Sequence, residues 1–311
     1  MGTLLSVSEL KKVYEVRKSV FSVKKEIIHA VDGISFDVAK GKTLGIVGES
    51  GSGKSTLIRC VLLLERPDSG KIIFDDVDLM SVNRPVMKSL RKNMQIIFQD
   101  PYSSLNPRKR VFNALAEPIM FHGKVKKKDV TGMVVELLRT VGLDEDFLKK
   151  YPHEMSGGQR QRVAIGRALA TDPKLLIADE PISSLDVSIQ AQIINLFLDI
   201  RERSGISMLF VSHDLNIVRF VSDDIIVMYQ GRVVEQGARE EVFFNPLHPY
   251  TRMLLNASRG ERVQSEGNGM RDTVKGCPYY HKCNMRSSAC SQAVPSLLGA
   301  GTHKVACFQP E

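Results

Sequence analysis

Alternating apolar positions around Val7, Leu10 and Val13, then from Ile28 to Val38 and from Thr43 to Val47, read as strands. The polar stretch Lys18–Lys25 between the first two reads as a hairpin loop. A further strand is expected at Lys71–Phe74, then a linker ending near Arg91, then a strand over Gln95–Phe98. Beyond Asp100 the spacing turns helical, punctuated by Pro101, Pro107 and Pro118. Val134, Val135, Leu137, Leu138 and Val141 line one helix face, and Gly142 ends it. Ser156 is placed to cap a helix running to Ala170, which buries Val163, Ile165, Ala168 and Leu169 and leaves Arg160, Arg162 and Arg167 able to face out. The unbroken run Leu175–Ala178 suits a central parallel strand. A long helix follows Asp186, with Ile189, Ile193, Ile194, Leu196, Phe197 and Ile200 as its apolar positions, and another strand spans Met208–Val211. The pattern is that of a large α/β domain with an appendage.

Composition narrows this. The chain has 311 residues and is 43% apolar, enough for a proper core. No apolar run approaches the roughly 18 residues a bilayer span needs, and the N-terminus lacks a signal-peptide pattern. A cytosolic protein is expected, with any membrane role supplied by partners. The net charge of +8 is uneven: residues 246–311 carry eight Lys/Arg against four Asp/Glu. No nucleic-acid module accompanies that charge, so no nucleic-acid partner is expected. The run Lys124, Lys126, Lys127, Lys128 reads as a solvated approach to a helix.

The chemistry centres on Leu44–Leu63. Its strand breaks at Gly48 and a helix begins at Lys54, and the break satisfies G-x-x-x-x-G-K-[ST] with Gly48, Gly53, Lys54 and Ser55. Glycines here allow positive φ and let successive N–H groups line a phosphate nest, to which the helix start adds its own amides. Lys54 can reach β- and γ-phosphates, and the Ser55 hydroxyl can ligate Mg²⁺. A second helix start, Ser156-Gly157-Gly158-Gln159, is another anion-friendly amide cluster. The buried strand delivers Asp179 and Glu180 at its C-terminal end, where open α/β sheets bind ligands. One of these carboxylates can hold Mg²⁺ while its neighbour polarises a water. His213 sits just past the next strand, placed for a γ-phosphate contact.

Taken together and in order, these residues resemble the ATP-binding cassette (ABC) ATPases over roughly residues 4–250. The resemblance implies a P-loop nucleotide-binding domain with a mixed sheet core, an antiparallel β subdomain and a helical subdomain at about 100–165. It implies ATP hydrolysis with ATP and Mg²⁺ as cofactors. The phosphate loop is Gly48–Thr56, with Ser50, Gly51, Ser52, Gly53 and Thr56 at the nucleotide, and Tyr14 matches the aromatic that stacks on adenine. Gln99 corresponds to the Q-loop, Ser156–Gln159 to the signature, Leu175–Asp179 to the magnesium-binding strand, Ser183–Asp186 to the D-loop and His213 to the switch histidine. Ser55, Gln99 and Asp179 would serve the metal; Glu180 would be the general base. Head-to-tail dimers are implied, with Ser156 and Gly158 closing on the partner's γ-phosphate. Met155 stands where Leu is usual and Ser184 where Ala is common, both mild changes.

A narrower resemblance rests on Ile97–Pro101 with Ser104–Pro107, on Tyr151–Glu154 and on Asn245–Thr251. These look like the ATPase subunits of dipeptide, oligopeptide and nickel importers. Implied partners are a second, different ATPase chain, two transmembrane permease subunits and, indirectly, a solute-binding protein, at the cytoplasmic face of the cell membrane. Other cargoes (nickel, glutathione, oligosaccharide) and a non-transport cassette ATPase are the competing readings. The division expected is 1–244 for the nucleotide-binding domain and 245–311 for a C-terminal module with its own Cys set and a core separate from the phosphate loop's.

Cys60 reads as a small buried hydrophobe, whereas Cys277, Cys283, Cys290 and Cys307 follow the spacing C-x₅-C-x₆-C-x₁₆-C. Disulfides are disfavoured in a reducing compartment. A Cys₄ zinc site usually has tighter pairs. Four thiolates can also hold an iron–sulfur cluster, and the family resemblance favours [4Fe–4S], because some members carry one here. His281 and His303 are possible substitute ligands. Val274–Glu311 has few large apolar residues, so a metal centre would supply its order.

Overall fold

A computed structural model describes residues 2–17, 25–123, 126–258 and 275–310. Most of the Lys18–Lys25 loop, Lys124 and Val274 lie outside the described residues. The chain forms two compact units, interleaved in sequence. One comprises Met1–Leu4, Val38–Lys42 and Asp76–Val211; the other comprises Leu5–Asp37, Thr43–Asp75 and Ser212–Glu311.

In the first unit, strands Met94–Ile97, Leu175–Asp179 and Ser207–Ser212 run parallel, with Leu175–Asp179 between the other two. Burial on both faces explains its unbroken apolar sequence: Leu175, Leu176 and Ile177 have no exposed surface. Helices Val111–His122, Lys127–Thr140 and Gly157–Leu169 pack on one another, burying Leu115, Val134, Leu138 and Val163. The expected linker up to Arg91 holds a helix, Arg84–Asn93. Asn83 caps it by accepting the Val86 N–H at 3.1 Å. None of its residues is buried, although Val86, Met87 and Leu90 recur at helical spacing along one face, a signal spanning little more than one turn that the linker reading passed over.

The second unit holds two sheets. Thr3–Arg17 lies between Lys25–Ala39 and Ser69–Phe74, antiparallel to the latter with Leu5 opposite Phe74 and Val7 opposite Ile72. The other sheet runs in the order Leu298–Ala300, His303–Val305, Arg232–Ala238, Asp224–Tyr229, Thr43–Val47. The first four strands pair antiparallel with one another in succession, and the fourth pairs parallel with the fifth. The tail therefore shares the phosphate-loop strand's sheet, which corrects the expectation of a separate core. Val305 is buried opposite Glu235, and Tyr279 and Cys290 are buried as well. Among the described residues no helix is long and apolar enough to cross a membrane.

Candidate functional site

The phosphate loop is built by close backbone approach. Thr43–Val47 is buried throughout, and the helix Lys54–Val61 starts from Gly53 at φ 102° without a capping side chain to compete for its first-turn amides. A Cβ on Gly53 would stand 2.0 Å from the Ala30 carbonyl oxygen, and one on Gly48 2.3 Å from that of Met228. Both positions therefore exclude any other residue. Lys54 is buried, and its ammonium donates to the carbonyls of Gly48 (2.6 Å) and Glu49 (3.0 Å). The Ser52 hydroxyl is buried and, among the described residues, has no hydrogen-bond partner. A cationic head folded onto its own loop beside an orphaned hydroxyl is a donor set that fits a phosphate. Ser50 and Gly51 are exposed at the loop tip, with Ser55 and Thr56 half-buried behind them.

Tyr14 lies in this unit beside the helix that follows the loop. Burial and the neighbouring Glu65 carboxylate push its phenol pKa up, and the Lys12 ammonium stands 5.5 Å from its ring centroid. His213 follows the strand Ser207–Ser212 and is exposed. The turn around it is fixed: the Ser212 hydroxyl accepts the Asp214 N–H (3.0 Å), and Asp214 caps the next helix through Asn216 (2.8 Å).

The other unit carries the carboxylates and the signature helix. Asp179 and Glu180 are half-buried at the end of the central strand. Glu180 has φ 47°, a left-handed conformation that costs a non-glycine residue on the order of 1 kcal/mol. Its N–H is tied to the Val211 carbonyl at 3.0 Å, and Gln99 Nε2 donates to its Oε2 at 3.1 Å. Gln99, expected at a metal, is thus bonded to the expected base.

Ser156 caps Gly157–Leu169 in a reciprocal box: its hydroxyl accepts the Gln159 N–H at 3.3 Å, and its own N–H donates to Gln159 Oε1 at 3.0 Å. Gly158 is required by packing, since a Cβ there would lie 2.6 Å from Ile189 Cγ2. Ile189 belongs to the helix Val187–Ser204, which Asp186 caps through Ile189 N–H (3.0 Å) and Ser188 (2.7 Å); these bonds lower the Asp186 pKa. The signature and the D-loop are thus one packed element. The three arginines do not face out. Arg160 donates to the Pro152 and Met155 carbonyls, Arg162 to Val141 (2.7 Å) and Arg167 to Ser104. Arg160 thereby ties down the turn just before its own helix, while Arg162 and Arg167 satisfy carbonyls at the ends of helices 21 and 63 positions away.

In the tail, Cys277, Cys283, Cys290 and Cys307 are free thiols, as is the buried Cys60. Burial is the main cause that pushes Cys277 up to about 11 and raises Cys283 and Cys307. Each of the four lies within electrostatic reach of the other three. Among the described residues, however, no three His, Cys, Asp or Glu side chains stand close enough to hold a metal ion. His303 is engaged elsewhere, with Nε2 2.8 Å from the buried Glu235 carboxylate.

Two contacts escaped the sequence reading. The Tyr250 hydroxyl accepts the Glu49 N–H at 2.8 Å, and Lys282 pairs with the Glu49 carboxylate at 3.5 Å. The only signal was Asn245–Thr251 itself, read as a family mark without a physical role.

Comparison with known proteins follows this geometry. Residues 31–183 match the family model "ABC transporter", and residues 234–290 match "Oligopeptide/dipeptide transporter, C-terminal region". The chain is 42% identical over 314 residues to the dipeptide transport ATP-binding protein DppF of Escherichia coli K12, covering 98% of this chain and 94% of that one. It is 43% identical over 318 residues to the oligopeptide transport ATP-binding protein AppF of Bacillus subtilis, covering 98% and 97%. Among solved structures, the dimeric post-hydrolysis ATP-binding cassette MJ0796 with ADP and Pi aligns with a TM-score of 0.67 and 28% identity, over 76% of this chain and 99% of that one. The cbiO1 structure from Clostridium perfringens, part of the cbiONQ ABC transporter complex, aligns with 0.68 and 31%, over 79% and 92%.

Proposed function

The chain belongs to the ABC transporter family and has its nucleotide-binding fold, and on that premise we propose that it is the ATP-hydrolysing subunit of a di- or oligopeptide importer. The observation that carries the cargo class is similarity to peptide-transport ATP-binding proteins along almost the whole chain, with the C-terminal match at 234–290 included. We read residues 1–244 as the cassette, with its helical subdomain at about 100–165, and 245–311 as the extension particular to this branch.

ATP and Mg²⁺, when bound, supply the phosphoryl group and the charge that neutralises it. In this reading Tyr14 stacks on the base and Gly48–Thr56 receive the phosphates. Lys54 leaves its loop carbonyls for the phosphate oxygens. Ser55, Gln99 and Asp179 would hold the metal. Glu180, with its backbone held in one conformation and its carboxylate oriented by Gln99, takes the proton from the attacking water, and His213 steadies the γ-phosphate. Ser156–Gln159 and Asp186 act on the nucleotide of a second ATPase subunit, packed head to tail. Two permease subunits would complete the transporter at the cytoplasmic face of the membrane, fed by a solute-binding protein.

For the tail we propose a [4Fe–4S] cluster on Cys277, Cys283, Cys290 and Cys307. The support is the mutual electrostatic reach of the four thiols together with the resemblance of their spacing to relatives that carry such a cluster. The raised thiols mean that loading such a centre would release protons.

The importer reading is tested by purifying the tagged chain from detergent-solubilised membranes. Two integral membrane subunits should copurify, and peptide-loaded solute-binding protein should stimulate hydrolysis. An active ATPase recovered without membrane subunits would refute it.

A further inference from the structure

The stretch Asn245–Thr251 is anchored to a fully buried carboxylate. Glu235 accepts the Leu247 N–H at 2.8 Å and the His248 N–H at 2.9 Å. His248 Nδ1 accepts the Tyr250 N–H at 3.0 Å, an arrangement that requires the neutral ring. These bonds fix Tyr250, whose ring has no exposed surface and packs against Tyr229 and Tyr279 at centroid distances of 4.7 and 5.4 Å. Its hydroxyl reaches the Glu49 N–H.

The peptide joining Gly48 to Glu49 is therefore held at both polar atoms. Lys54 holds its carbonyl at 2.6 Å, and Tyr250 holds its N–H at 2.8 Å. An anion that draws Lys54 off the carbonyl leaves the tyrosine bond in place. Lys282 adds a weaker, partly exposed contact to the Glu49 carboxylate. We propose that Tyr250 is a positioning residue for the phosphate loop. Its hydroxyl keeps the Gly48–Glu49 peptide in the orientation that leaves the loop ready for phosphate, and it does not itself touch nucleotide. The inference rests on reading Gly48–Thr56 as the ATP phosphate site.

Removing only the hydroxyl deprives the part-buried Glu49 N–H of its acceptor. The loop then redistributes toward conformations in which that N–H finds water or another acceptor, and apparent affinity falls with the competent fraction. The test uses the full-length chain as wild type, Tyr250→Phe, Tyr279→Phe and Lys54→Ala. The readouts are equilibrium binding of a non-hydrolysable ATP analogue with Mg²⁺, steady-state kcat and KM, and nucleotide-free Tm. Tyr250→Phe should raise Kd and KM about fivefold and leave kcat within about twofold. Tyr279→Phe, which takes a hydroxyl from the same aromatic cluster but none from the loop, should leave Kd unchanged. A Tyr250→Phe protein with lowered Tm but wild-type Kd would overturn the proposal, as would equal effects of the two Phe variants. Hydrogen exchange on the wild type tests it without any variant: the Glu49 amide should be protected, and fast exchange there would contradict the assignment. Failure of the underlying reading looks different: the wild type would not bind the analogue, or Lys54→Ala would bind it as well.

Discussion

The phosphate loop and the C-terminal tail occupy one compact unit and are stabilised in opposite ways. The loop is written almost entirely within Gly48–Ser55, and what it takes from elsewhere is chiefly backbone, the Ala30 and Met228 carbonyls against which only glycine fits, with the Tyr250 hydroxyl on the Glu49 N–H as the side chain added from afar. The tail is held by side chains and strand pairing from distant positions. Tyr279 packs on Tyr229 and Tyr250, and Val305 pairs with Glu235, which also binds His303. A segment with few large apolar residues therefore need not carry its own core. It can complete a neighbour's and, in doing so, reach the neighbour's working parts.

The variants that probe this contrast differ widely in size. Lys54→Ala should have the largest effect, lowering ATP affinity by about a hundredfold or more as a charge-assisted contact to phosphate is lost. The folded tail should be unaffected, as followed by limited proteolysis at a temperature well below unfolding. Tyr279→Ala removes a buried ring and should cost about 3–5 kcal/mol in a single cooperative unfolding transition, and ATP affinity should weaken with it. Two separate transitions with unaltered ATP affinity would show that tail and loop are independent after all.

Acid gives the next effect. Burial pushes His248 down to about 4 from 6.5, so below pH 6.5 the unfolded chain binds the proton more readily than the folded one. Stability is therefore lost as pH falls from about 6.5 to about 4, by about 3 kcal/mol for a shift of this size. Protonation would also set an N–H against the Tyr250 N–H that Nδ1 now accepts. His248→Asn, measured by Tm between pH 7 and 4.5, should flatten that dependence. The smallest effect is expected from Lys282→Met, whose partly exposed ion pair is worth well under about 1 kcal/mol. It should shift ATP affinity less than about twofold at low salt and not at all at high salt.

The sequence was most informative where function needs contiguous residues. The glycine spacing of the loop, the Ser156 cap, the buried strand ending at Asp179 and the Asp186 cap all involve a few neighbouring positions and local turn chemistry. It was silent where the determining partner lies far away. Helix Arg84–Asn93 left only the short apolar trace Val86, Met87, Leu90, and it buries none of its residues. Arg162 and Arg167 look like surface residues until the Val141 and Ser104 carbonyls that they satisfy are in place. The positive φ of Glu180 has no residue signature, since the position is occupied by the carboxylate itself and not by glycine. Tyr250 and Glu49 are 201 positions apart, and only the folded sheet brings them together.

The central claim is that the chain hydrolyses ATP through a general base at Glu180. The direct measurement compares wild type with Glu180→Gln for ATP-analogue binding and for single-turnover phosphate release. Binding should stay within about threefold of wild type, and phosphate release should slow by about 10²–10⁴. Phosphate release by Glu180→Gln at close to the wild-type rate would contradict it.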